Sequence, residues 1–153
     1  MTYHWQYFTN SNNLESLLTY FEALLSGLPF FISHFFVTLL LLFFGVIIYI
    51  LLTPIKEISL IKNGNVAAAI SFSGALLGIG IPLASSLSVS NSLIEIFIWG
   101  VTAILIQLLC YKLTDTFLSD LGERINEGEL ATAILLFSIK ISVSLVNAAA
   151  IVG

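Results

Sequence analysis

The chain has 153 residues, of which 58% are hydrophobic and 9% are charged, and its formal net charge is -4. A soluble domain carries about 25% charged residues, so this composition excludes an ordinary water-soluble fold and indicates a protein dissolved in lipid. The chain has nine acidic residues against five basic ones and a single cysteine, Cys110. We therefore expect no nucleic-acid partner, no intrachain disulfide and no cysteine-rich metal site.

Residues 1–27 predict an N-terminal segment outside the membrane that contains an amphipathic helix. Asn12 and Glu15 have the spacing of an N-cap and its N3 partner, and Gly27 and Pro29 predict the end of the helix. Its apolar positions recur at helical spacing: Leu14, Leu17, Leu18, Phe21, Leu24, Leu25 and Leu28. We expect this helix to lie on the outer membrane surface, beneath Tyr3, Trp5, Tyr7 and Phe8, or to pack over the outer end of a helical bundle.

Four apolar stretches are long enough to cross about 30 Å of hydrocarbon, which takes about 20 helical residues. They cover approximately 28–52, 66–88, 93–113 and 130–152. Helices are required because unpaired backbone amides in lipid are costly, and the alternation of a barrel strand is absent. No basic residue precedes Lys56, so we expect no cleaved signal peptide. The predicted fold is an all-α polytopic membrane protein of four transmembrane helices.

The basic residues predict the orientation, because lysine and arginine in short loops stay on the cytoplasmic side. Lys56 and Lys62 follow the first span, and Lys112 and Arg124 flank or occupy the connection after the third. Both termini should therefore be periplasmic or extracellular. Most acidic residues lie near the 114–129 loop, which is either a docking surface for a cytoplasmic protein partner or simply a solvated loop.

An internal repeat relates the two halves of the chain. Residues 61–70 and 125–134 match at a constant offset of 64, which pairs Gly64 with Gly128. The register continues into the spans. We interpret this as two parallel-repeat hairpins, related by an axis along the membrane normal; chance similarity between two apolar helices is the alternative.

Small residues predict where the helices touch, because they let backbones approach closely. Pro82 in the second span predicts a kink that serves packing or gating. The predicted packing positions are Ser71, Gly74, Gly78, Pro82, Gly100, Ser138 and Ser142.

Lys140 is the ionisable side chain nearest the bilayer centre, about 15 Å from Leu130 along a helix. An unpaired central lysine costs about 2.5–3.5 kcal/mol, so it should face protein or water. Ser144 and Asn147 share its helix face. Its candidate partners are Gln107 and Glu95. Lys140 is either a snorkelling or structurally paired residue, or part of an ion or solute path.

The Lys140 face of the fourth span points away from its Ser138 and Ser142 face, so polar or small residues occupy both sides of this helix. One side can pack on the chain's own hairpins, and the other must meet a second subunit or line a cavity. We therefore predict a homo-oligomer.

No reaction is indicated by the sequence. It contains no Ser/His/Asp grouping, no HExxH motif and no phosphate loop. His34 is the one histidine within a predicted span, which is at most half of a haem axial pair. We expect neither an enzyme nor a bound cofactor or metal.

Several motifs appear once the spans are placed. They are Thr53-Pro54-x-x-Glu57-x-x-Leu60-Ile61-Lys62-x-x-Asn65-x-Ala67-Ala68, Phe72-Ser73-Gly74-x-Leu76-Leu77-Gly78-x-x-Ile81-Pro82-Leu83, Trp99-Gly100, Ile106-Gln107-Leu108-Leu109 and Asn147-Ala148-Ala149. Together they resemble the YjfL-like inner-membrane family, also called domain of unknown function 350, over about residues 28–152.

The resemblance implies a bacterial inner-membrane protein of four helices, in a family whose members look linked to envelope or membrane-stress contexts. It implies no catalytic residue. Two features depart from it: the helix of residues 12–27 extends beyond the shared core, and Lys140 stands where a small or apolar residue is expected.

Two functions follow as hypotheses. The first is a non-enzymatic, oligomeric membrane component that acts through partner proteins or the state of the bilayer. The second is a small ion or solute channel or transporter, with a polar path near Lys140, Asn147 and Gln107. An enzyme or electron carrier is disfavoured because no nucleophile, metal set or histidine pair is visible.

Overall fold

The computed structural model describes the backbone of residues 4–118 and 120–153, and the side chains from residue 13 onward within those ranges. This part of the chain forms helices and contains no β-strand. The helices, in chain order, are α1 His4–Leu52, α2 Glu57–Lys62, α3 Val66–Val89, α4 Leu93–Phe117, α5 Leu121–Asn126 and α6 Leu130–Val152.

The four long helices, α1, α3, α4 and α6, are apolar and long enough to cross a membrane, which confirms the predicted all-α fold with four spans. The 24 residues of α3 extend about 36 Å at 1.5 Å per residue, enough for the hydrocarbon core. The predicted 130–152 span coincides with α6, whereas α4 continues to Phe117 rather than ending at 113.

The prediction that Gly27 and Pro29 end an N-terminal helix is wrong, because α1 continues through both residues to Leu52. A proline removes one backbone donor, and an apolar helix in or near lipid tolerates that loss when the remaining amides stay bonded within the helix. Side chains of residues 13–32 are all exposed. The alternative in which this segment packs over the outer end of its own bundle is therefore also wrong for these residues.

Two short helices, α2 and α5, precede α3 and α6, and the sequence analysis did not predict them. Gly64 and Gly128 each follow one of them with φ near +85°, a left-handed conformation that glycine adopts without strain. The starts of α2 and α5 are separated by the same 64 positions as the starts of α3 and α6. The parallel-repeat arrangement of two hairpins stays a prediction.

Helix α3 lies at the centre of the bundle and packs against α1, α4 and α6. The close approach depends on two glycines. A Cβ built on Gly74 would lie 2.9 Å from the Phe137 Cα of α6, and one on Gly78 would lie 1.8 Å from the Tyr111 hydroxyl of α4. A methyl group at Gly74 would need α6 to move, and one at Gly78 would displace the Tyr111 side chain.

The predicted packing positions divide into two groups. Ser71, Gly74, Gly78, Pro82 and Gly100 are buried, and α3 runs uninterrupted through Pro82. By contrast, Ser138 and Ser142 lie on an exposed face of α6, although the sequence register matches them to the buried Gly74 and Gly78. The two halves therefore bury different faces within the chain: α6 turns its Lys140 face inward and leaves the serine face uncovered.

Asn65 joins the two connections at the Glu57 end of the bundle. Its side-chain oxygen accepts a hydrogen bond from the Ala68 N–H at the start of α3, 2.9 Å away. Its Nδ2 donates to the carbonyl oxygens of Ile125 and Asn126, at 2.9 and 3.2 Å. One side chain therefore caps α3 and attaches it to the end of α5, next to the buried polar cluster described below.

Candidate functional site

Lys140 lies on α6, and its ammonium group is enclosed by α1 and α3. The Nζ atom donates to the Tyr49 hydroxyl at 2.8 Å, and to the hydroxyl and backbone carbonyl oxygens of Ser71 at 3.1 Å each. Only 2% of Lys140 is exposed. The side chain extends toward the first residues of α6, the direction in which helix side chains lean, so it reaches the same end of the bundle as α2.

Glu57 at the start of α2 supplies the opposite charge. Its Oε1 accepts hydrogen bonds from the Tyr49 hydroxyl at 3.0 Å and from the Ser71 hydroxyl at 2.8 Å. The carboxyl is buried with 3% exposure. Burial raises the pKa of the Glu57 carboxyl, and the charge of Lys140 together with the two hydroxyl donors opposes that rise. Lys140 and Glu57 are therefore connected through two hydroxyl groups that each bond to both; we call these four residues the lysine network.

Two tyrosine rings enclose the ammonium group. Its Nζ lies 4.9 Å from the ring centre of Tyr49 and 5.6 Å from that of Tyr111. The two rings meet edge to face, with their centres 5.7 Å apart. The Tyr111 hydroxyl donates to the Ala75 carbonyl of α3 at 3.3 Å, in the space that Gly78 leaves open. Ring faces attract a cation, and this attraction strengthens where water is excluded.

A second set of polar contacts continues from Lys140 toward the other membrane face. Gln107 of α4 donates through Nε2 to the backbone carbonyl of Lys140 at 3.2 Å. Asn147 of α6 donates through Nδ2 to the Ala103 carbonyl at 3.0 Å and to Gln107 Oε1 at 3.3 Å. These amides hold α4 against α6. Ser144 lies between Lys140 and Asn147 on α6 and is fully buried. Its hydroxyl has no hydrogen-bond partner among the described residues.

The structure brings together Lys140, Gln107, Ser144 and Asn147, but it separates them from Glu95. The Glu95 carboxylate accepts from the Asn91 backbone N–H at 2.8 Å, in the exposed turn before α4. Glu95 as the partner of Lys140 is therefore wrong, because the lysine leans toward the opposite end of α6. Gln107 does contact Lys140, through the backbone carbonyl and not the ammonium group.

Sequence reasoning missed three features of the network: Tyr49, Glu57 as a buried carboxyl, and Ser71 as a bonding group and not only a small packing residue. A signal was present, since Glu57 is the acidic residue of the Thr53-Pro54-x-x-Glu57 motif. Side chains on a helix lean toward its N-terminus, and α6 begins at the α2 end of the bundle. The partner of Lys140 was therefore to be expected at that end.

The groups of the lysine network hold two opposite charges. Among the described residues, no three histidine, cysteine, aspartate or glutamate side chains converge as metal ligands would. His34 of α1 places its Nδ1 2.9 Å from its own helix's Phe30 carbonyl. The polar hydrogens of Tyr49 and Ser71 are both directed to Glu57, so the network's own groups satisfy one another.

These features define a class: an α-helical, multi-pass membrane protein whose helices are joined by a buried lysine–glutamate network. The chain belongs to the family described as Domain of Unknown Function (DUF350), whose family model matches residues 23–151. The N-terminal part of α1, before residue 23, lies outside this match.

Curated relatives support the same assignment. The chain is 34% identical over 126 residues to the UPF0719 inner membrane protein YjfL of Escherichia coli strain K12, which covers 82% of this chain and 96% of the relative. It is 31% identical over 123 residues to the UPF0719 transmembrane protein YshE of Bacillus subtilis strain 168, covering 78% and 90%. No solved structure matches the chain. The protein is thus a multi-pass membrane protein of a family that includes inner-membrane proteins.

Removing either bridging hydroxyl should weaken the bundle. Tyr49→Phe and Ser71→Ala each leave Lys140 and Glu57 with one fewer buried partner, and each should lower the free energy of unfolding by about 1–3 kcal/mol. Unfolding in mild detergent, followed by circular dichroism during titration with a denaturing detergent, measures the change. Tyr20→Phe is the matched control because Tyr20 is 72% exposed on α1. Equal effects at Tyr49 and Tyr20 would contradict a stabilising network.

Proposed function

We propose that this protein is a non-enzymatic, oligomeric component of the bacterial inner membrane, linked to envelope or membrane-stress functions. The observation that carries the proposal is that Lys140 and Glu57 are both buried and bonded through protein groups of other helices. Bonding of this kind supports a structural role, in which the charged groups favour one arrangement of the helices over others. The membrane itself and other proteins are then the partners through which the bundle acts.

The uncovered face of α6 supports a second copy of the chain as one of those partners. Ser138 and Ser142 are exposed on this face, and the Ser138 hydroxyl donates to the Ile134 carbonyl of its own helix at 2.8 Å. A serine whose hydroxyl bonds to its own helix has a small side chain and leaves no unsatisfied hydrogen-bond donor in lipid. Two such faces can therefore approach as closely as the small-residue seams of other membrane helices.

We propose that both termini are periplasmic or extracellular, with α2 and α5 in the cytosol, because the short connections at that end carry Lys56, Lys62 and Arg124. The 114–129 segment is the proposed docking surface for a cytoplasmic protein. It exposes the side chains of Glu123 and Glu127, while Arg124 is hydrogen-bonded through Nε and Nη2 to the two carboxylate oxygens of Glu129. That pairing lowers the pKa of Glu129 and keeps it charged.

The exposed first half of α1 is proposed to contact the outer membrane surface. Leu14, Leu17, Phe21 and Leu24 are each more than half exposed. An apolar stripe of this length is stable beside lipid headgroups and acyl chains; because α1 is one continuous helix, the surface-lying arrangement requires α1 to bend at Pro29.

The channel or transporter alternative rests on one observation, the line of polar side chains from Glu57 through Lys140 and Gln107 to Asn147. These groups bond to one another and are buried, which favours the structural role. A conducting path would need them to exchange those bonds for water or ions.

Cysteine cross-linking in native membranes tests the oligomer. In a Cys110→Ala background, Ser138→Cys should give dimers with a short bis-maleimide, because its face meets the same face of a second copy. Leu109→Cys is the control, because Leu109 is 59% exposed on α4. Its distance along the chain from the inner end of α4 equals the distance of Ser138 from the inner end of α6. Equal cross-linking at both positions, or none at Ser138→Cys, would count against the α6 interface.

Flux measurements separate the two functions. Purified wild-type protein in liposomes should pass potassium, chloride and protons no faster than empty liposomes, because the buried network leaves no group free to carry an ion. Lys140→Leu serves as the comparison variant. Flux above the empty-liposome rate that Lys140→Leu changes would establish the channel or transporter reading and overturn the structural one.

A further inference from the structure

A cavity of about 380 Å³ lies between the end of α1 and the short helix α2. Lys56 and Lys62 are exposed at its edge, and Thr53 and Ser59 add hydroxyl groups to its wall. The rest of its lining is mostly aliphatic: Ile50, Ile55 and Ile58. The cavity therefore combines two cations and two hydroxyls with an apolar wall, at the level where a spanning helix leaves the membrane.

The one acidic residue in this lining does not cancel the charge of the lysines. Glu57 directs its Oε1 into the bundle, where it accepts hydrogen bonds from Tyr49 and Ser71, and only 3% of the residue is exposed. The buried Lys140 is part of the same network. The field in the cavity is consequently set by Lys56 and Lys62, neither of which has an ion-pair partner among the described residues.

A second, apolar groove of about 410 Å³ lies on the lipid-facing side of α1 and α3. It is lined by Leu39, Leu40, Leu42, Phe43, Val46 and Leu76. Its walls carry no charged side chain, so an acyl chain is the ligand that matches its chemistry.

The two cavities lie on one stripe of α1. Leu39, Phe43 and Val46 of the groove and Ile50 and Thr53 of the polar cavity follow one another at alternating spacings of four and three residues, which places them on one helix face. From Leu39 to Ile50 the helix rises about 16 Å. That distance is close to the hydrocarbon thickness of one leaflet, about 15 Å.

We propose that this face of α1 binds one anionic phospholipid, with its phosphate between Lys56 and Lys62 and an acyl chain in the Leu39–Val46 groove. Two lysines beside the Ser59 hydroxyl suit a phosphate, and basic pockets beside membrane helices bind anionic headgroups. The site lies directly beside the lysine network. Glu57 lines the cavity and is itself a member of the network, and Thr53 of the cavity wall bonds to the Tyr49 carbonyl. The bound lipid would therefore hold α2 in the position that keeps Glu57 buried.

Native mass spectrometry of the full-length protein, released from micelles that contain equal amounts of phosphatidylglycerol and phosphatidylcholine, tests the site. Wild type should retain phosphatidylglycerol preferentially. Lys56→Gln and Lys62→Gln should each reduce that retention about fivefold. Lys112→Gln removes the same charge from an exposed residue at the same end of the bundle, outside the cavity, and should leave retention unchanged.

Two further arms test the groove and the source of the phosphate. Val46→Trp fills the groove and should also reduce phosphatidylglycerol retention, whereas Ile48→Trp, on another exposed part of α1, should not. Added inorganic phosphate should fail to displace the lipid; displacement would assign the lysines to a free anion and overturn the lipid site. Equal losses for Lys112→Gln and Lys56→Gln, or equal retention of the two lipids by wild type, would overturn it as well.

Discussion

A lysine ammonium group within an apolar bundle is the constraint on which the arrangement of the helices depends. Leaving such a charge in lipid or in a dry protein interior is costly, and the cost falls only when other groups of the protein satisfy it. Lys140 obtains its partners from Tyr49 on α1 and Ser71 on α3, and the opposite charge comes from Glu57 on α2. The lysine network therefore joins four helices: Lys140 of α6 bonds to α1 and α3, and the same two hydroxyl groups bond to Glu57 of α2.

The apolar packing makes room for that network. Gly78 leaves space for the Tyr111 hydroxyl, which lets the Tyr111 ring stand beside both Tyr49 and the ammonium group. Gly74 brings α3 against the backbone of α6 at Phe137, three residues before Lys140. Close backbone approach is thus what brings the short Ser71 side chain within hydrogen-bonding distance of Nζ. Small residues and buried charge act together here, because the glycines let the helices come close enough for the hydrogen bonds of the network.

Much of the fold follows from the sequence, because the thickness of the bilayer requires each spanning helix to have about 20 apolar residues, and hydropathy detects such stretches. It located the four spans and Lys140 within one of them. It did not predict the continuation of α1 through Pro29, because the cost of one lost amide donor depends on the surroundings of the helix. The lean of helix side chains favours Glu57 over Glu95 as the charge near Lys140, but the bonds through Tyr49 and Ser71 depend on how α1, α2 and α6 are placed in space. The burial of Gly74 and exposure of Ser138, at matched positions of the two halves, likewise depends on which helix faces meet.

The most direct test is the coupling between the two charges, measured by a double-mutant cycle of Lys140→Met and Glu57→Gln. Each single variant leaves one buried charge without its counterpart, whereas the double variant removes both charges and keeps similar volumes. The free energies of unfolding in detergent should give a coupling of about 2 kcal/mol, with the double variant more stable than the sum of the single losses implies. Additive losses, within about 0.5 kcal/mol, would show that Lys140 and Glu57 do not stabilise each other and would contradict the account.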